Sequence, residues 1–287
     1  MTTGLSHRPL QRWEERRQRA VKLLARHAHA APPLEFLLEL LPLQSELFRW
    51  ITEAEWPGAI VTGAGEDSPK LRLDALSIDK LVPRFATFLE GLLPHSPDVL
   101  AEIGAGVQAR EPTQRAVLEH YLAGGELSET AAGLDCEARQ LEFFPRAFMQ
   151  PIAEALARDT AAAEDWQENF CPICGRPPQL ALLRDDAAVK GRRMLQCGLC
   201  ASEWTFRRGV CPHCGEERSE QLLIHSISDP THVYVDECKS CNAYLKTVDL
   251  RKDGLAVPLV DEIATVELYI WAEERGLWKI QPNLLGM

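Results

Sequence analysis

Four Cys-x-x-Cys pairs constrain this 287-residue chain more than any other feature. They fall in order at Cys171/Cys174, Cys197/Cys200, Cys211/Cys214 and Cys238/Cys241, leaving Cys136 outside the series. Between Cys174 and Cys197 lie 22 residues, between Cys214 and Cys238 lie 23, and only 10 separate Cys200 from Cys211. The array is a tandem repeat: Cys171-Pro-Ile-Cys174-Gly175 matches Cys211-Pro-His-Cys214-Gly215, and Cys197-Gly-Leu-Cys200 matches Cys238-Lys-Ser-Cys241. Two thiolates three positions apart on a tight turn can occupy adjacent corners of a tetrahedron. A second turn two strands away supplies the other corners. Pro172 or Pro212 restricts φ within the turn, and Gly175 or Gly215 permits a positive φ after it. Leu180–Leu183 with Arg193–Gln196, and Leu222–Ile227 with Val233–Asp236, read as paired strands.

This zinc-ribbon or rubredoxin-like pattern, present twice, predicts two mononuclear sites: Cys171, Cys174, Cys197 and Cys200 in one, Cys211, Cys214, Cys238 and Cys241 in the other. Competing readings are redox dithiols, an iron–sulfur cluster, and a pairing of Cys197/Cys200 with Cys211/Cys214, which ignores the repeat. A tetrathiolate accepts zinc or iron, and closed sites of this kind are commonly zinc. His213, His225 and His232 lie nearby, but each quartet is already complete without them.

The rest of the chain divides by composition. Residues 1–165 read as an all-α domain. Helical spacing is visible from Leu10 through Trp13, Ala20, Val21 and Leu24 with basic residues elsewhere, over 34–51 with a kink near Pro42, and over Ile78–Leu92. Further helices are expected over 97–110, 112–123 and 137–158, the last interrupted by Pro145 and Pro151. Residues 57–74 read as a loop or short hairpin, and neither Gly63-Ala-Gly65 nor Gly104-Ala-Gly106 has the setting of a phosphate loop. Two metal modules follow, at 166–209 and 210–287. The second carries a C-terminal helix, capped by Asp261, with Ile263, Val266, Ile270 and Trp271 on it and Gly276 past its end. The expected class is therefore multidomain, α plus small β.

Charge narrows the partners. The balance is 31 Lys+Arg against 42 Asp+Glu, a net −11, which disfavours binding to nucleic acid or anionic lipid. A zinc-ribbon nucleic-acid binder would want a basic stripe, and residues 166–250 hold 10 basic against 11 acidic residues. Lys190, Arg192, Arg193, Arg207 and Arg208 form either a local basic edge or a solvated rim. The most apolar segment, 34–51, carries Glu35, Glu39, Glu46 and Arg49, so no membrane insertion is expected. No secretory or twin-arginine leader is read in the basic N-terminal stretch. The expected setting is a reducing compartment, where thiols stay free of disulfides.

Four runs together carry a resemblance: Cys171-Pro-Ile-Cys174-Gly-Arg-Pro177, Leu195-Gln-Cys197-Gly-Leu-Cys200-Ala-Ser-Glu203-Trp204, Arg207-Arg-Gly-Val-Cys211-Pro-His-Cys214, and Glu237-Cys238-Lys-Ser-Cys241-Asn-Ala-Tyr244-Leu245-Lys246. They resemble the FdhE family of formate dehydrogenase accessory proteins over about 165–250, and the first half supports the match by layout. The resemblance implies a cytoplasmic bacterial protein that respiratory formate dehydrogenases need to become active. It implies binding of their catalytic subunit, which carries molybdopterin and selenocysteine or cysteine, before export. It also implies rubredoxin-like sites able to hold iron, raising iron above zinc, and it assigns no catalytic residue. The expectation is thus an accessory protein and not an enzyme. The alternatives are a rubredoxin-like iron redox or oxygen-sensing protein and, second, a zinc-ribbon nucleic-acid-binding protein.

Overall fold

The computed structural model describes residues 11–53, 56, 59, 69–160, 166–227 and 231–287. Of the loop expected at 57–74, residues 57, 58 and 60–68, which include Gly63-Ala-Gly65, lie outside the described residues.

The N-terminal half is helical: α1 (Gln11–Leu24), α2 (Ala31–Thr52), α3 (Ile78–Leu92), α4 (Asp98–Gln108), α5 (Glu111–Leu122), α6 (Ser128–Gly133) and α7 (Ala138–Ala157). Helix α2 runs through Pro42 and α3 through Pro83, and α7 is not interrupted at Pro145 and Pro151 as expected but continues through both, held by packing on all sides. Helix α7 starts at a capping box, in which the Glu137 and Gln140 side chains bond each other's backbone N–H groups. This satisfies two of the free donors at the helix start. Every residue of α7 from Phe143 to Ala155 is buried, as expected of a helix surrounded by others. Phe148 packs between Phe85 and Phe88, and Phe143 against Phe36.

The periodicity of α1 conceals one departure. Its buried face includes Arg16 and Arg19 beside Trp13, Ala20 and Leu23, while Val21 is exposed. Arg16 grips Glu154 of α7 through two bonds of 2.9 and 3.0 Å. Arg19 binds both Asp261 and Asp253 near the other end of the chain. Guanidinium groups tolerate such burial when a carboxylate meets them in bidentate fashion.

The second half forms one seven-stranded sheet. Its strands are β1 (Pro178–Arg184), β2 (Arg192–Cys197), β3 (Glu203–Thr205), β4 (Leu222–Ser226), β5 (Val233–Cys238), β6 (Ala243–Asp249) and β7 (Trp278–Lys279). Strand order is β3-β2-β1-β6-β5-β4, with β7 also on β6. Each repeat contributes an antiparallel meander, β1-β2-β3 or β4-β5-β6. The two meanders join where β1 runs parallel to β6, from Leu180 opposite Lys246 to Leu183 opposite Asp249. Both joining strands are buried nearly throughout, the pattern of strands covered on two faces.

Asp261 does not cap the C-terminal helix. It ends a four-residue helix, α8 (Pro258–Asp261), and is buried against Arg19 and His232. The longer helix is α9 (Val266–Glu273), preceded by Thr265, with Gly276 at φ +67° past its end. The carboxylate is drawn inward because buried Arg19 demands a counter-charge, which outweighs a surface cap.

Candidate metal centres

Each quartet is built from two turns with the same local bonding. Gly175 and Gly215 N–H groups donate to the carbonyls of Cys171 and Cys211 at 2.9 and 3.0 Å. Cys171 and Cys211 N–H groups donate in turn to the carbonyls of Arg176 and Glu216. In all four knuckles the residue after the second cysteine has a positive φ: Gly175 (+74°), Ala201 (+55°), Gly215 (+76°) and Asn242 (+56°). Ala201 was not recognisable from sequence, since alanine avoids this region at a cost of roughly 1–2 kcal/mol.

Within the first quartet, Cys171 Sγ lies 3.5 Å from Cys200 Sγ and Cys174 Sγ 3.4 Å from Cys197 Sγ. In the second, Cys211 lies 3.8 Å from Cys241 and Cys214 3.7 Å from Cys238. All four sulfurs of each quartet fall within 4.8 Å of one another. A tetrahedron with metal–sulfur bonds of about 2.3 Å has edges of about 3.8 Å, so both cages could hold a single ion. Backbone N–H groups of Ile173, Leu199 and His213 point at Cys171, Cys197 and Cys211 Sγ, each at 3.4 Å. Such donors stabilise thiolates. The pairing of Cys197/Cys200 with Cys211/Cys214 is not what the structure contains. Cys136 stands apart, near the Ala131 carbonyl, its pKa raised by burial and by Asp135.

Electrostatics within each cage are shared unequally. Burial opposes ionisation of Cys197, but hydrogen bonds from Cys171, Cys174 and Cys200 outweigh it and hold its pKa well below the ordinary thiol value. The hydrogen bond with Cys171 pushes Cys174 up, and burial pushes Cys200 up. In the second cage, burial raises Cys211 to about 11 and also raises Cys241. Cys214 is lowered: burial opposes this, while the Glu216 N–H and neighbouring thiols prevail. A cation placed among the sulfurs would displace the thiol protons.

The surroundings differ. The first cage is clasped by the helical body: Gln150 of α7 donates to the Gly198 carbonyl (3.0 Å), Leu71 N–H to Ile173, and Arg176 to the Tyr121 carbonyl. The Trp204 indole closes another side by donating to the Glu168 carbonyl. The second cage has Trp278, which donates to the Cys241 carbonyl (2.9 Å) and meets the His213 ring edge-on at 4.5 Å. None of the three nearby histidines enters a cage: His225 pairs with Glu237, and His232 with Asp261. Of the residues that could form either a basic edge or a solvated rim, most are paired. Arg193 is buried on Asp236 and on the Arg207 and Val210 carbonyls, while Arg192 meets Asp186 and Arg207 meets Glu217.

Sequence reasoning missed a set of buried polar residues outside the cages. Arg146 spans the Asn283 carbonyl and Gln179 (3.0 and 3.3 Å), and Glu262 lies between Lys246 and Lys279. Their partners are up to 137 residues distant, and no local pattern marks them.

Fold and cages define a helical protein with paired four-cysteine ribbons on one sheet, able to hold two ions. The central domain of FdhE matches residues 170–208, and the C-terminal domain of FdhE matches 210–285. An FdhE homologue of Aquifex aeolicus is 30% identical over 224 residues, covering 77% of this chain and 76% of its own. One from Shewanella oneidensis is 26% identical over 275 residues, covering 94% and 88%. The crystal structure of the FdhE protein from Pseudomonas aeruginosa superposes with a TM-score of 0.63 at 25% identity, covering 96% of both chains. This chain belongs to the FdhE family. Among the described residues no helix is long and apolar enough to cross a membrane.

Proposed function

We propose that this chain is a cytoplasmic accessory factor for respiratory formate dehydrogenase, not itself an enzyme. It binds the catalytic subunit and carries two mononuclear metal ions. Cys171, Cys174, Cys197 and Cys200 hold one, and Cys211, Cys214, Cys238 and Cys241 hold the other, with iron favoured over zinc. The division of labour follows 1–165 for the helical part and 166–209 and 210–287 for the two metal modules. The observation that carries this reading is the completeness of both cages. Four sulfurs at tetrahedral spacing use every corner of an ion, leaving no open position for substrate. Such sites stiffen small ribbons and present a surface instead of performing chemistry. Retention of the formate dehydrogenase catalytic subunit by the tagged, metal-loaded chain tests the proposal. Specific retention is expected, and its absence would count against client binding.

A second reading has one observation in its favour. Cys214 is exposed, so an iron tetrathiolate there would be open to electron exchange or oxygen. Anaerobically prepared protein would then show thiolate-to-iron absorption that bleaches reversibly with reductant. Colourless, zinc-only protein with full accessory activity would refute it.

A further inference from the structure

The two cages share their knuckles but not their surroundings, and the difference bears on how each would release an ion. In the first, Cys171 and Cys197 are fully buried, Cys200 is 2% exposed and Cys174 is half-buried, so no sulfur-bearing residue is exposed. Its knuckles are bonded to α5, α7 and the segment at Leu71. Freeing Cys171, Cys197 and Cys200 requires the sheet to part from the helical body that covers them. That opening breaks buried polar contacts as well as apolar packing, and belongs to the high-energy end of local unfolding.

In the second cage, Cys211 and Cys238 are buried, but Cys214 is exposed and Cys241 half-buried. A Cβ placed on Gly215 would meet nothing within 4 Å, so the turn faces solvent. From the other side, a cavity of 280 Å³ is walled in part by Cys211, Pro212, Cys238 and Ala243. The Trp278 ring lies across the knuckles and is itself 40% exposed, and the side chains that bond there, Asn169 to the His213 carbonyl and Ser240 to Glu216, are exposed as well. An incoming soft ligand therefore has a path to this ion without any unfolding.

We infer that the cages have different tasks: Cys171/Cys174/Cys197/Cys200 is a permanent staple, and Cys211/Cys214/Cys238/Cys241 is an exchange site that passes its ion to an external thiolate or chelating ligand. The step is ligand substitution without redox change. The incoming thiolate bonds the metal, the metal–Cys214 bond breaks, and the Cys214 thiolate takes up a proton from solvent. Repetition of the substitution at the remaining sulfurs completes the transfer. This inference rests on the reading that both cages hold metal.

The test uses the intact, metal-loaded chain. Elemental analysis first establishes two ions per chain. A chromophoric pyridylazo chelator then reports release, while pulses of iodoacetamide followed by peptide mass mapping show which thiols become free. Release in two equal phases is expected, the first faster by about tenfold or more, with alkylation of Cys211, Cys214, Cys238 and Cys241 preceding that of the other quartet. A single phase, or earlier labelling of Cys171, Cys174, Cys197 and Cys200, would overturn the inference while leaving the metal reading intact. Fewer than two ions at the outset would overturn both.

Discussion

Replacing Glu262 by glutamine removes the carboxylate that two buried ammonium groups share. Glu262 is fully buried, with Lys279 Nζ at 2.5 Å and Lys246 Nζ at 3.3 Å. Asn283 and Gln179 also donate to it, at 2.8 and 3.4 Å. Unit charges 3.3 Å apart attract by about 5 kcal/mol at an effective dielectric constant of 20. Breaking a buried pair typically costs about 3–5 kcal/mol. The lower end is expected here, because Lys246 keeps three oxygen acceptors from Glu262 and Thr265 and either lysine can shed its proton. Burial lowers Lys279 to about 8 and lowers Lys246 as well. The native state therefore binds fewer protons than the unfolded chain between about pH 8 and the unfolded lysine pKa of about 10.4, and these lysines make stability rise with pH across that window. In Glu262→Gln both lysines fall further, so the rise begins at lower pH and the deficit against the parent narrows with alkalinity. Urea midpoints followed by tryptophan fluorescence measure this. An unchanged midpoint at neutral pH, or a deficit constant up to about pH 9.5, would refute the argument.

Alanine at Cys171 or at Cys211 is expected to lower the metal content by one ion each, read by elemental analysis; loss of both ions from one change would show coupled cages. Arg16→Ala leaves Glu154 buried beside no full partner, since Arg12 approaches it only at 3.9 Å, and should lower stability by about 3–5 kcal/mol in urea titrations. A loss below about 1 kcal/mol would mean that solvent reaches Glu154. Gly198→Ala drives a Cβ into the Gln179 side chain and to 3.0 Å from Arg146 Nη2. An overpacking cost of about 1–3 kcal/mol is expected as a lower thermal midpoint, and an unchanged midpoint would refute this account of the packing. Acidification should release metal from both cages as protons compete for thiolates; retention at a pH well below the thiol range would argue against thiolate ligation.

The ribbons were legible because their determinants are local. A Cys-x-x-Cys turn closes over five residues, and Gly175 and Gly215 announce the positive φ that the turn requires. The strands after each turn pair as hairpins with nearby segments, from Pro178 opposite Cys197 and from Leu222 opposite Cys238. The third strands of the meanders were harder to see. Glu203–Thr205 is three residues long, and Ala201 hides a left-handed turn that sequence assigns to glycine. In α1 the helical period was visible, but Arg16 and Arg19 read as solvated. Distant carboxylates turn them inward: Glu154, 138 residues from Arg16, and Asp261 and Asp253, 242 and 234 residues from Arg19.

By itself the sequence determined the helical first half, the partition of eight cysteines into two repeated quartets, and the family to which they belong. Spacing within a few residues, or within one hairpin, is enough to settle such features. Tertiary structure decided the rest: the parallel joining of β1 to β6, the burial of Lys246, Glu262 and Lys279, the inward turn of Asp261, and the contrast between one enclosed cage and one open to solvent. These depend on which surfaces meet after long loops close. The two knuckle sequences are nearly equivalent, and it is the neighbour across the fold, α7 for one and Trp278 for the other, that makes them differ.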